Sequence, residues 1–234
     1  MCIRDRSWDG KELTYPNPPG QLTTPSLSED GHWMGFGSDA LAVASSDSPA
    51  VPAIYLRDLQ TGNNRRLAVV GSDLAPRLSL SGDGSRLAFV SSRADLVPND
   101  SNGAADVFVV NTQDGSITRV SLGSEAQQGL GPAPGIGSCM NPSLSDDGSR
   151  IVFTSSFTNL VSDDFNDAAD VFVHDLNTGS TRLISRGPGG KVASAGGAHP
   201  VISGNGRWVT YDSASPELAA NPIMSFCQWD DRSP

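Results

Sequence analysis

The chain has 234 residues and a formal charge of −10, with 26 acidic against 16 basic side chains. Its only lysines are Lys11 and Lys191, and no basic stripe marks it as a nucleic-acid binder. No apolar run approaches the roughly 18–20 residues of a membrane-spanning helix, and Cys2, Cys139 and Cys227 make neither a disulfide framework nor a metal spacing.

Residues 1–6 (Met-Cys-Ile-Arg-Asp-Arg) are what a common sequencing-library transposon end encodes when read in frame, and they are read as a non-native leader. Residues 7–24 contain Trp8-Asp-Gly-Lys-Glu-Leu-Thr14, the last hairpin of a preceding unit. From there a phrase Pro-x-Leu/Ile-Ser-x-Asp/Asn-Gly recurs: Pro25 to Gly31, less cleanly Pro76 to Gly84, then Pro142 to Gly148 and Pro200 to Gly206. Three copies are answered by a second turn at Gly62, Gly115 and Gly179, always 31 residues after the first glycine. The distances between copies vary, from 53 to 64 residues. A fixed interior with elastic joints is the signature of a repeat array.

Within a repeat the chain reads as four short strands. Pro-x-Leu-Ser is the first. After the Asp-Gly turn come Trp33–Phe36, Leu87–Val90, Ile151–Thr154 and Trp208–Tyr211, and after a loop come Ile54–Leu56, Val107–Val110 and Val171–Val173. A polar strand such as Ile117–Ser121 or Thr181–Ser185 closes the unit. Asp-Gly between apolar runs signals a hairpin, because both residues tolerate positive φ. The middle strands are apolar at neighbouring positions, so they are buried on both faces and Phe89, Phe108, Phe153 and Phe172 are core residues. No window shows helical periodicity. All-β repeats of four antiparallel strands are the blades of a β-propeller.

The run Pro142-Ser-Leu-Ser-Asp-Asp-Gly-Ser-Arg-Ile-Val-Phe, then Asn159-Leu-Val, then Asp170-Val-Phe-Val and Thr178-Gly resembles the WD40-like repeat of TolB-type β-propellers. The resemblance is best over 76–122 and 142–185, good over 200–218 and weaker over 25–71. It implies around six blades, so residues 25–71, 72–122 and 123–185 are three blades, the last with an inserted junction loop. Residues 186–221 open a further blade, and 222–234 lose the pattern as an atypical tail. A four-blade ring closed by strand exchange is the other arrangement.

Candidate chemistry lies in two parallel loops sharing Asp-x-Asn-x-x-x-Asp: Asp100, Asn102 and Asp106, and Asp164, Asn166 and Asp170. Oxygen ligands two residues apart plus a later carboxylate suit a hard cation, and Ca²⁺ completed by carbonyls and water is the candidate cofactor. The same residues also suit Asx turns that hold loop amides without an ion. In the first blade only Asp47 remains, with Pro49 and Ala53 at the other two places. The joints 122–140 and 186–199 are long and glycine-rich, and strand order puts them on the face that carries the Asp loops, opposite Gly84, Gly115, Gly148 and Gly179. That loop-rich face is the expected binding surface.

No Gly-x-Ser-x-Gly, His-Glu-x-x-His or phosphate loop occurs, and His32, His174 and His199 have no recurring acid or nucleophile partner in sequence. The resemblance implies a non-catalytic scaffold that binds a protein or surface glycan, periplasmic or secreted. The alternative is the propeller of a larger prolyl-oligopeptidase-like hydrolase.

Overall fold

The computed structural model describes residues 23–38, 52–70, 77–123, 126–131 and 138–218 in full, and the strand 225–230 by its backbone. Every described sheet is antiparallel with its strands in chain order. The first blade is β1 (Ser26–Leu27), β2 (Trp33–Ser38), β3 (Ala53–Asp58) and β4 (Asn64–Val69). The second is β5 (Ser79–Leu80), β6 (Arg86–Ser91), β7 (Asp106–Asn111) and β8 (Ile117–Arg119). The third is β9 (Cys139–Leu144), β10 (Arg150–Ser155), β11 (Asp170–Asp175) and β12 (Ser180–Leu183), and the fourth is β13 (Ala198–Ile202), β14 (Trp208–Ser213) and β15 (Ser225–Asp230).

The repeated phrase is turn hardware. Ser145 Oγ donates to Asp147 Oδ1 at 2.7 Å and accepts from the Arg150 amide at 3.0 Å, while Asp147 Oδ1 also accepts from the Ser149 amide at 2.9 Å. Ser28 with Asp30, Ser81 with Asp83 and Ser203 with Asn205 repeat the arrangement. Gly148 takes φ +63°, which a side chain would strain. Adjacent turns are stitched together: the Asp83 amide donates to Asp146 O (2.8 Å) and the Asp146 amide to Gly204 O (2.9 Å).

The core lies between blades. Phe89, Phe108, Phe153 and Phe172 are fully buried, and each cross-strand pair stacks, with centroids 5.7 Å apart for Phe89–Phe108 and 5.9 Å for Phe153–Phe172. One cluster joins β3 and β4 to the second blade, a second joins the second and third blades, and a third joins the third blade to Ile202, Val209 and Tyr211. Each first strand meets the next first strand. Leu80 N donates to Ser26 Oγ, Leu144 N to Ser79 Oγ and Ile202 N to Ser143 Oγ, at 2.9, 2.9 and 3.3 Å.

Strand order puts the β1–β2 and β3–β4 type turns at one edge of every blade and the long β2–β3 type loops at the other. Gly84, Gly115, Gly148 and Gly179 therefore lie opposite Asp100 and Asp164.

Proline lacks an N–H and is expected at a strand's entry or on its unpaired side; Pro142 and Pro200 lie inside β9 and β13 rather than at the entry. There Asn141-Pro142 oppose the single residue Phe153, and His199-Pro200 oppose Tyr211, as β-bulges in which Asn141 and His199 take φ +53° and +50°. A bulge frees the proline from donating to the ladder. Counted from the turn glycine, Leu78 rather than Pro76 matches Pro142, and Pro76 lies outside the described residues. Cys139 was placed in a junction loop, but it opens β9 fully buried, where burial pushes its thiol pKa up and Sγ lies 3.3 Å from Ser155 Oγ.

Candidate functional site

Both Asp-x-Asn-x-x-x-Asp loops close on the first residue of the third strand. Asp106 and Asp170 are fully buried, and each binds a serine fifteen residues later. Ser121 Oγ donates to Asp106 Oδ1 and accepts from the Val107 amide at 3.1 Å, while Ser185 Oγ donates to Asp170 Oδ1 at 2.5 Å and accepts from the Val171 amide at 3.0 Å. The second carboxylate oxygen takes an asparagine: Asn102 Nδ2 to Asp106 Oδ2 at 3.0 Å, and Asn166 Nδ2 to Asp170 Oδ2 at 2.7 Å. Asn102 Oδ1 and Asn166 Oδ1 each accept the amide two residues on, from Ala104 and Ala168, both at 3.0 Å. The Asx turns weighed from sequence are thus present. Burial raises the pKa of both Asp106 and Asp170, opposed by these hydrogen bonds.

The joints are tied into the same network. Asn102 Nδ2 also donates to Gly129 O (3.2 Å) and Asn166 Nδ2 to Ala193 O (2.7 Å). Gln128 Nε2 donates to Ser101 Oγ (2.9 Å), and Asn159 Nδ2 to Gln128 O (2.8 Å), so the first joint is held between the loops of two blades. What reads in sequence as glycine-rich slack is fixed backbone at its described residues. Ser121, Ser185, Arg119 and Gln128 were missed as partners. For Ser121 and Ser185 the signal was spacing, fifteen residues after the aspartate in both blades, just as Gly129 and Ala193 lie 27 residues after Asn102 and Asn166.

The two loops differ in charge. Asp100 pairs with Arg119, Nη1 to Oδ1 2.9 Å, and the same guanidinium lies 3.7 Å from Asp106. Arg119 stands opposite Phe108 on β8; opposite Phe172 on β12 stands Leu183. Asp164 thus has no guanidinium where Asp100 has one. Burial and the Asp170 charge push its pKa up to about 6, although the Asn166 amide and Arg186 oppose this. Arg186 pairs instead with Asp163, at 2.7 Å. Between Asp164 and Asn166, Phe165 projects with 82% of its surface exposed, and Leu130 in the first joint is 58% exposed. Among the described residues no three His, Cys, Asp or Glu side chains group to hold a metal ion. In the first blade Ala53 occupies the place of Asp106, fully buried, while Asp47 and Pro49 lie outside the described residues.

The histidines gained acidic neighbours that the sequence concealed. His32 Nε2 lies 3.3 Å from Asp58 Oδ1, and His199 Nδ1 lies 2.8 Å from Asp212 Oδ2. His174 is buried with Nδ1 2.9 Å from Thr181 Oγ1, and burial lowers its pKa.

No protein-family profile and no curated protein matches the sequence. Solved structures do match. TolB from Acinetobacter baumannii superposes with TM-score 0.56 at 17% identity, over 96% of this chain and 45% of its own. The fold is a TolB-like β-propeller. A prolyl endopeptidase gives TM-score 0.58 at 13% identity, over 97% of this chain and 30% of its own. The propeller domain of the Trilobed protease from Pyrococcus furiosus gives 0.51 at 10% identity, over 91% of this chain and 55% of its own. The chain thus spans about half the length of the TolB it resembles. No helix among the described residues of this propeller is long and apolar enough to cross a membrane.

Proposed function

We propose that this propeller is a non-catalytic scaffold of a bacterial envelope or secreted protein, which engages a protein partner through its loop-rich face. The observation that carries this reading is the combination of pinned backbone and presented apolar side chains. Phe165 stands 82% exposed on a loop anchored by Asp170, Asn166 and Ser185. Preorganised loops lower the ordering cost of association, and exposed apolar side chains on them supply contact area. The resemblance to TolB, a binding propeller, supports the same reading, and so does the envelope location that the resemblance implies. A surface glycan is the second partner class for this face.

Phe165→Ser leaves the buried network untouched, so the test compares it with the parent chain for capture of envelope proteins. Loss of a specific captured partner in the variant supports the reading, and equal capture by both overturns it. The hydrolase-propeller alternative is favoured by the prolyl endopeptidase superposition. A downstream Gly-x-Ser-x-Gly in the same gene would decide for it.

The proposal extends to Ca²⁺ in the third blade alone. In the second blade the cationic place beside Asp100 is taken by Arg119. In the third, Asp164 and Asp170 repel each other without that guanidinium, and a divalent ion would relieve the repulsion.

A further inference from the structure

The opposite, tight-turn face carries a further feature, independent of the loop-face reading. A cleft of about 480 Å³ opens there between the first and second blades, walled by Trp33 and Leu56 and rimmed by Asn63, Asn64, Arg65 and Gln113. Its floor is repeat hardware. Asp83 and Ser85 belong to the turn that every blade shares, and a Cβ on Gly84 would come within 2.7 Å of Trp33 Cδ1, so glycine lets the indole settle there.

The rim departs from the repeat. Strand register matches Trp33 to Arg86, Asn64 to Ile117 and Arg65 to Thr118, and the same turns match Asn63 to Ser116, Thr112 to Leu176 and Gln113 to Asn177. Between the second and third blades Arg86 reaches across to Gly148 O at 3.0 Å, and Leu176 packs against the core. Between the first and second, Thr112 folds down on Gly84 O at 2.6 Å and leaves the cleft clear. Arg65 is held over it by one bond, Nη1 to Gln113 O at 3.0 Å, and Asn64 by one, from Arg57 to its Oδ1 at 3.1 Å. The side chains that face this cleft differ from their repeat counterparts at six positions, and together they turn a filled junction into an open one.

The chemistry presented is three carboxamides, a guanidinium with donors to spare, the Asp58 and Asp83 carboxylates and one apolar wall. Amides offer a donor and an acceptor side by side, which matches hydroxyl groups that each donate and accept. The volume is in the range of small-ligand pockets, roughly 300–1,000 Å³. Two carboxylates against one guanidinium, on a chain of net charge −10, disfavour an anionic ligand. We propose that this inter-blade cleft binds a neutral saccharide, its hydroxyls on the Asn63, Asn64 and Gln113 amides and an apolar ring face against Trp33.

The test follows the side-chain amide and indole signals of the ¹⁵N-labelled chain during titration with maltotriose, cellotriose, diacetylchitobiose and trigalacturonate, each to about 20 mM, a ceiling suited to millimolar affinity. The expected result is that at least one neutral sugar shifts the Asn63, Asn64, Gln113 and Trp33 signals together, with trigalacturonate weaker. Asn63→Ala with Gln113→Ala, both exposed positions, should weaken that sugar about tenfold while the rest of the spectrum stays unchanged. Silence from every neutral sugar, shifts elsewhere only, tighter binding of trigalacturonate, or an undiminished affinity in the double variant overturns the proposal.

Discussion

The loops of the second and third blades share one frame and solve the same electrostatic problem differently. Both bury an aspartate at the head of the third strand, and both satisfy it with a serine two residues past the fourth strand and an asparagine from the loop. The second blade adds Arg119, whose guanidinium reaches Asp100 at 2.9 Å. The third replaces that arginine with Leu183 and leaves Asp164 buried near another carboxylate. A frame of neutral serine and asparagine partners is thus enough to build the loop, whereas the buried outer carboxylate has a direct ion pair in one copy only. The difference teaches where the third loop is soft: it carries a charge that folding does not favour, next to its most exposed aromatic side chain.

Arg119→Leu makes the second blade imitate the third, and it should be the most damaging change. It strands Asp100 and Asp106 in a buried site, and removing one partner of a buried pair costs roughly 3 kcal/mol or more. Urea unfolding monitored by circular dichroism should show the midpoint fall; an unchanged midpoint would mean that the ion pair is not what supports the loop.

Next comes pH. The folded-state pKa of Asp164 is raised to about 6, above the ordinary 3.8, so folding favours its protonated form. Its destabilising effect is therefore present above about pH 6 and fades as pH falls towards 4. Asp164→Asn should accordingly be more stable than the parent at pH 7, by on the order of 1–2 kcal/mol, with the gap narrowing below pH 6 and closing near pH 4. A gap that is constant with pH would show that Asp164 does not carry this charge effect.

The reciprocal exchange is Leu183→Arg. A guanidinium there should pull the Asp164 pKa down from about 6, which a ¹³C-detected carboxyl titration reads directly. The gain in stability should be smaller, under about 1 kcal/mol, because the longer side chain must also find room among packed neighbours.

The smallest effect expected is from Ca²⁺. A site in the third loop with a Kd of about 10 mM would add roughly 0.4 kcal/mol at about 10 mM Ca²⁺. Mg²⁺ should add less, since it holds a smaller octahedral shell and gives up water reluctantly. Thermal melts should show the gain lost in Asp164→Asn and in Asp170→Ala, and unaffected by Asp106→Ala. Identical curves with Ca²⁺, Mg²⁺ and chelator would leave the aspartates as turn formers only.

Most of the blade was legible from particular residues. The turns at Gly84 and Gly148, the burial of Phe89, Phe108, Phe153 and Phe172, and the opposition of turns and Asp loops follow from period and turn chemistry, which are local. The bulges were not legible, because Pro142 reads the same at a strand's entry and at a bulge until its partner strand is known. Nor were the pairs His32–Asp58 and His199–Asp212, whose members lie 26 and 13 residues apart and meet only across a sheet.

The sequence by itself determined a repeat of four antiparallel strands, its glycine turns and its buried phenylalanines, since each depends on neighbours within a few residues or on a fixed period. Tertiary structure alone decided which carboxylate is compensated. Arg119 and Leu183 occupy the same place in their repeats, and only the folding of the fourth strand against the loop sets a guanidinium beside Asp100 and an apolar side chain where Asp164 needs a charge. Long-range electrostatics of this kind depends on distances of a few ångströms between residues far apart in the chain, and no local pattern carries them.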